Sequence, residues 1–364
     1  MGIHVIHITN NCNRGGANHV LLPIIKELGN QDIKFTLAYL QGPELLKDDF
    51  DSLGVKTILL GKNPIKIFSQ LRALINSNNK SKLIFHTHLV QAGLIGRFFG
   101  IIFGVPIITT RHYKERGKKN NLLYIMEDLS LRFNNSVVAI SNAVKEHLVK
   151  SNYTNEDKCI RIYNPLDNIF VDSDKVITDS FNITCVGRLH PVKGIDYLVD
   201  AFEKICIKIP NAKLFIIGRD DGIRYRILEK IQNHSYKNRI FLLGFLETKD
   251  IKKMLSQTNV YVQPSLNEGL GISAIEAMAM ECPCVFTNVG GLGEIADKGN
   301  NASLVPPGDS QKICEAVLWH YENKDESKEK AIKARDYIMK EFNSKLISDQ
   351  YYKLYKKILN IKCI

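Results

Sequence analysis

The sequence has little of what marks a metalloprotein, a membrane span or a secreted domain. Its eight cysteines (Cys12, Cys159, Cys185, Cys206, Cys282, Cys284, Cys314 and Cys363) are scattered, mostly in apolar runs such as NITCVGR and EKICIKI. Only Cys282 and Cys284 are close, and no second pair stands at zinc-ligand spacing. Reduced, packed thiols of a cytoplasmic protein are expected, with no structural metal. The most apolar stretch, GRFFGIIFGVPIITT, is interrupted by Gly104 and Pro106 and falls short of the roughly 20 residues that span a bilayer. MGIHVIHITNN has no basic region ahead of a long apolar one, so it reads as a buried strand and not as a signal peptide. Cys363 is penultimate, not fourth from the end, which leaves no lipidation motif.

What is present is ordinary in bulk and informative in pattern. The chain has 364 residues, enough for two domains at about 100–200 residues each. A net charge of +11 favours an anionic partner: a nucleotide, a phospholipid surface or nucleic acid. Nucleic acid is the weakest of these, because no module interleaves aromatic with basic residues.

Short apolar runs alternate with amphipathic segments, the pattern of a parallel sheet covered by helices. Strands are expected at 3–9, 34–40, 56–60, 83–88, 106–112, 136–141 and 159–164, and again at 181–188, 212–218, 239–244, 260–265, 283–288 and 302–306. The polar stretch 164–180 separates the two series. The expected fold class is α/β, two doubly wound Rossmann-like domains with a cleft between them. Residues 1–167 form the first domain and 168–340 the second. A charged terminal helix at 341–364 packs on the second domain or crosses back to the first.

Two glycine-rich turns after strands could cradle phosphate, since unpaired amides at a helix start attract anions. The first, TNNCNRGGANHV, puts Gly15-Gly16 before a helix. It lacks both the G-x-G-x-x-G spacing and a P-loop lysine, which argues against nicotinamide and ATP. A tight turn explains the same pair. The second lies in SLNEGLGISAIEAMAMECP, where helical spacing over 270–281 opens on the Gly269-Leu270-Gly271 turn, so that amides up to Ile272 could hold a pyrophosphate. Glu268 precedes the turn and Glu276 follows it inside the helix, one carboxylate for each end of a nucleotide-linked substrate. Cations for the diphosphate come from CVGRLHPVKG: Arg188 ends a strand and Lys193 lies in the next loop. A solvated basic loop is the alternative.

These residues resemble a family. Arg188, Lys193 and Gly194 followed by Glu268-x7-Glu276, with a glycine pair after the first strand, look like the large retaining group of GT-B glycosyltransferases. The likeness is specific over 181–308 and looser over 1–165. It implies a sugar-nucleotide donor on the second domain, uridine being the expected base, with transfer to a glycan or lipid-linked acceptor in lipopolysaccharide, capsule or glycolipid assembly. By the same resemblance, Arg188 and Lys193 bind the diphosphate and Glu268 the sugar hydroxyls. Glu276 takes the ribose, the 269–272 backbone the phosphates, and the loop with Phe245 and Leu246 lies near the base. Gly16 sits close to the donor, and the terminal helix crosses back to the first domain. A histidine ending a first-domain strand often stands near the reacting sugar in these enzymes: His112 is favoured and His88 second, with His86 also available. A polar residue finishing a buried strand is the plain alternative for each. Front-face transfer with retention is implied, with an oxocarbenium-like transition state and a diphosphate leaving group. No metal is required, in keeping with the lack of a D-x-D after a strand; DDFD at 48–51 lies in a polar turn.

The segment TRHYKERGKKNN carries five basic residues and one acid, and the terminal YYKLYKKILNIK is also basic. Both suit an anionic membrane surface or a lipid diphosphate, so peripheral attachment at the inner face of the cell membrane is expected; solvated loops have the same composition. The competing readings are a sugar-nucleotide 2-epimerase, which would act on the donor alone, and a non-catalytic sugar-nucleotide-binding subunit.

Overall fold

The computed structural model describes residues 2–13, 16–29, 31–112 and 122–361. The chain divides into two compact units, one of residues 1–165 with 342–364 and the other of residues 166–341.

In the first unit, seven parallel strands stand in the order β3-β2-β1-β4-β5-β6-β7. They are β1 (Ile3–Asn11), β2 (Ile33–Gln41), β3 (Lys56–Leu59), β4 (Leu83–His88), β5 (Ile107–Arg111), β6 (Ser136–Ala139) and β7 (Cys159–Arg161). β1, β4 and β5 are buried over almost their whole length, as strands covered on both faces by helices must be. The second unit has six parallel strands in the order β10-β9-β8-β11-β12-β13. These are β8 (Phe181–Val186), β9 (Ala212–Ile217), β10 (Ile240–Gly244), β11 (Val260–Gln263), β12 (Cys284–Thr287) and β13 (Ser303–Val305). Its core joins Ile183, Leu214, Ile216, Val262 and Val285 of the sheet to Leu198, Phe202 and Ile205 of the helix Ile195–Lys208.

Each of the thirteen apolar runs has become a strand. β7 is shorter than its run because its only partner among the described residues, β6, ends at Ala139, opposite Arg161. After the helix Lys324–Glu341 of the second unit, the last helix, Ser344–Ile358, belongs to the first. There it packs on the helix Leu21–Leu28, and the Ser344 hydroxyl donates to Glu27 at 3.0 Å.

The seven described cysteines are buried free thiols, and burial raises the pKa of each. Among the described residues no helix is long and apolar enough to cross a membrane.

Candidate active site

Both sheets reverse strand order at one place, between β1 and β4 in the first unit and between β8 and β11 in the second. In open α/β sheets, ligands bind outside the carboxyl ends of the strands at such a switch point. Arg188 and Lys193 follow β8 and Glu268 follows β11, so these residues stand at the switch of the second unit.

The loops there are built by glycine. Gly194, with φ +61°, starts the helix Ile195–Lys208, and a Cβ on it would lie 2.1 Å from the Pro264 carbonyl oxygen. The turn that carries Lys193 therefore presses against the strand end that leads to Glu268. Leu266 N–H donates to the Val192 carbonyl at 2.7 Å and closes the same contact. Gly290, with φ +49°, backs the other side: a Cβ there would sit 1.8 Å from the Glu268 carbonyl. Gly290-Gly291 is a position that reading the sequence missed, although GG in NVGGLGEI after a strand signals close backbone approach.

Lys193 Nζ reaches Glu268 Oε2 at 2.5 Å, both side chains about 15% exposed. Ser265 Oγ also donates to Oε2, at 3.2 Å. Behind it runs a buried relay: Tyr261 O–H donates to Gln263 Oε1 at 2.5 Å, and Gln263 Nε2 donates to Ser265 Oγ at 3.0 Å. One oxygen of Glu268 is thus fixed from two sides, and the other has no partner among the described residues. A carboxylate held this way can accept hydrogen bonds from hydroxyls of a ligand.

Gly271, with φ +95°, caps the helix Ile272–Ala279, and no side chain caps that end. A helix start of this kind leaves its first amides without intrahelical acceptors, the condition for binding an anion. Leu270 is buried, which anchors the turn, and Glu276 is half-buried about 6 Å along the helix axis from Ile272. Arg188 is half-exposed and paired with Asp221, a partner that nothing local in the sequence announced. Phe245 is exposed and Leu246 half-buried in the loop after β10, beside β9 and one strand from β8. The structure therefore joins Lys193 directly to Glu268 and holds Arg188 apart on Asp221.

In the first unit, Gly16 begins the short helix Gly16–His19, while Gly15 and residues 113–121 of the basic segment lie outside the described residues. Four of the ten histidines come together on β1, on β4 and just after β5. His7 of β1 is in register with His86 of β4, and His86 and His88, two residues apart, share a face. His7 Nδ1 lies 3.0 Å from His88 Nε2, and His88 Nδ1 lies 3.4 Å from His112 Nε2. The His86 ring is tilted against both His7 and His88, at 4.9 and 4.4 Å between ring centres. Its nitrogens meet the Tyr355 hydroxyl at 2.9 Å and the Thr110 hydroxyl at 2.8 Å.

Burial pulls the pKa of His7 down to about 3. Burial, then the Arg111 charge, brings His112 to about 4. Burial first, and the neighbouring imidazoles second, hold His86 and His88 well below 6.5. All four rings are neutral at pH 7. His7, His86 and His88 bring ring nitrogens within 4.8 Å of one another, a spacing open to a metal ion. The two nitrogens of His86 are already satisfied by hydroxyls, and the facing nitrogens of His7 and His88 by each other.

Two family models match in succession, "Glycosyltransferase Family 4" over residues 14–168 and "Glycosyl transferases group 1" over residues 170–337. The chain belongs to the group 1 glycosyltransferases. It is a transferase with the GT-B fold. The capsular polysaccharide biosynthesis glycosyltransferase CapM of Staphylococcus aureus is 27% identical over 361 residues, covering 91% of either chain. An Escherichia coli UDP-Gal:alpha-D-GlcNAc-diphosphoundecaprenol alpha-1,3-galactosyltransferase is 27% identical over 83% of this chain and 84% of its own. Among solved structures, Anabaena Alr3699/HepE in complex with UDP-glucose superposes with a TM-score of 0.85 at 18% identity, over 98% of this chain and all of that one.

Proposed function

We propose that this glycosyltransferase takes its sugar from a uridine diphosphate donor and retains the anomeric configuration. The observation that carries the reading is the Lys193–Glu268 pair at the switch point, with one Glu268 oxygen fixed and the other open beside an uncapped helix start. Lys193, Arg188 and the amides of 269–272 draw off the charge that builds on the leaving diphosphate. Glu268 binds hydroxyls of the transferred sugar and Glu276 those of the ribose. Phe245 and Leu246 flank the base, and His112 is kept for the sugar end. The departing phosphate accepts the acceptor proton, so the reaction needs no divalent metal. Uridine is favoured because UDP appears in the names of the galactosyltransferase relative and the HepE complex.

The acceptor is a glycan or a lipid-linked saccharide, in keeping with the capsular and diphosphoundecaprenol relatives. A surface of the first unit supports contact with an anionic membrane. Helix Leu122–Ser130 is inverted: Glu127 and Asp128 are buried on Arg111, whereas Leu122, Ile125, Met126 and Leu129 stand exposed at helical spacing. Phe98, Ile101 and Ile102, on the neighbouring helix Val90–Phe103, are exposed too. Exposed apolar side chains on two packed helices of a chain of charge +11 fit a lipid headgroup region.

The test of the donor reading is a thermal-shift screen with UDP, UDP-glucose, GDP, ADP and CMP, with and without EDTA. At about 100 times its dissociation constant, a bound nucleotide stabilises the native state by about 2.7 kcal/mol. A shift with the uridine nucleotides alone, unchanged by EDTA and lost in Lys193→Ala, is the expected result. A shift that EDTA abolishes, or none with uridine nucleotides, overturns the reading.

A further inference from the structure

The row His7–His88–His112 joins a candidate site residue to two rings that cannot reach any substrate. His7 is 1% exposed, as is His88. A neutral imidazole has one N–H and one lone pair, so a ring hydrogen-bonded through both nitrogens donates on one side and accepts on the other. His88 is bonded on both sides. If it accepts from His7 at Nε2, it must donate to His112 from Nδ1; if it donates at Nε2, it must accept at Nδ1. The two hydrogen bonds therefore run in one direction.

The row also has a closed end. His7 Nε2 is buried and has no partner among the described residues, so no proton leaves the chain there. The arrangement is a lock and not a conduit. Its rings are packed by His86, which lies tilted against His7 and His88 and is itself pinned by Tyr355 and Thr110.

We propose that His88, backed by His7, is a positioning residue that holds His112 in a single tautomer, and that all three rings carry their proton on the same nitrogen, either all Nδ1 or all Nε2. His112 then turns one defined face, donor or acceptor, away from the row. The catalytic consequence rests on the reading in which His112 meets the donor sugar; the lock itself does not.

The experiment is long-range 1H–15N correlation of the ring nitrogens in the full chain labelled with 15N-histidine, at pH 7. The expected spectrum gives His7, His88 and His112 one fully protonated and one bare nitrogen each, of the same type in all three. Different tautomers within the row, or averaged intermediate shifts for His112, would overturn the proposal. In His88→Asn, whose amide sits near the place of Nδ1, the His112 tautomer stays fixed; in His88→Phe it averages. An unchanged His112 spectrum in His88→Phe sinks the idea, and if that variant does not fold, the wild-type spectrum still decides. Added Zn2+ leaves the ring signals in place; a stoichiometric shift of the His7, His86 and His88 signals would reassign the row as a metal site and overturn the lock. With UDP-glucose hydrolysis as the functional readout, His88→Phe lowers kcat about tenfold or more at little cost in KM, and His88→Asn restores it. If the spectra hold but His112→Ala hydrolyses UDP-glucose at the wild-type rate, the sugar reading of His112 falls and the lock stands.

Discussion

Replacing Glu268 by glutamine should tighten the binding of UDP while destroying transfer. In the structure Lys193 spends its charge on Glu268, with both groups largely shielded from solvent. A diphosphate on the amides of 269–272 must share that lysine, and it lies near the carboxylate as well, since Glu268 and the Gly271 cap are neighbours: a Cβ on Gly271 would be 3.6 Å from Glu268 Cγ. Glutamine keeps the shape and accepts from Ser265, but it frees Lys193 and removes one negative charge.

At a separation of roughly 7 Å and an effective dielectric of about 20–40, a unit of like charge costs the diphosphate about 1–2 kcal/mol. Its removal corresponds to an affinity gain of about tenfold. Titration calorimetry with UDP on the wild type and Glu268→Gln measures it, and the gain should shrink at high salt as screening replaces the lost charge. Transfer or hydrolysis of the donor should fall by about two orders of magnitude or more, because the sugar loses its carboxylate in the transition state. UDP affinity that is unchanged or weakened would refute the placement of the diphosphate beside Glu268, whatever the activity did.

The buried histidines predict acid sensitivity with a definite sign. An unfolded imidazole takes up a proton below pH 6.5, whereas His7 and His112 resist until about 3 and about 4, and His86 and His88 are also depressed. Their neutral burial costs nothing in this respect above pH 6.5, and stability falls as the pH drops below it, by about 2 kcal/mol at pH 5 for each of His7 and His112, with His86 and His88 acting in the same direction. A urea midpoint that does not move between pH 7.5 and pH 5 would contradict this. For the inverted helix, Ile125→Glu with Leu129→Glu should reduce binding to phosphatidylglycerol vesicles about tenfold or more, since each half-exposed side chain forfeits about 1 kcal/mol of apolar contact. Unchanged vesicle binding would remove the membrane from the proposal; UDP binding should be unaffected.

The strands were legible because a strand covered on both faces must be largely apolar, and in AKLFIIG Lys213 is the one exposed side chain. Lys193 and Glu268 could be assigned to one site for a related reason: each follows a strand, and a parallel sheet delivers strand ends to one edge; the ion pair between them was not legible. Their support could not. Gln263 and Ser265 are polar residues closing β11, and only the fold shows that they pass a hydrogen bond from Tyr261 to the carboxylate. Asp221 meets Arg188 from the loop after β9, 33 residues away. The histidine row was half legible. FHTH puts His86 and His88 on one face by period alone, but His7 and His112 join them through the order β1-β4-β5, which no local pattern states. The helix Leu122–Ser130 reverses the usual reading altogether. LLYIMEDLS has an apolar face that a sequence argument would turn inward, yet Arg111, with Arg97 beside it, lies beneath and takes the acids instead. Leaving those two arginines buried and unpaired would cost about 3–5 kcal/mol each, against about 1 kcal/mol for each of the four apolar side chains left partly exposed. The apolar stripe faces out because the charges under it had to be met first, and any partner of that stripe has to be one that tolerates an inside-out helix.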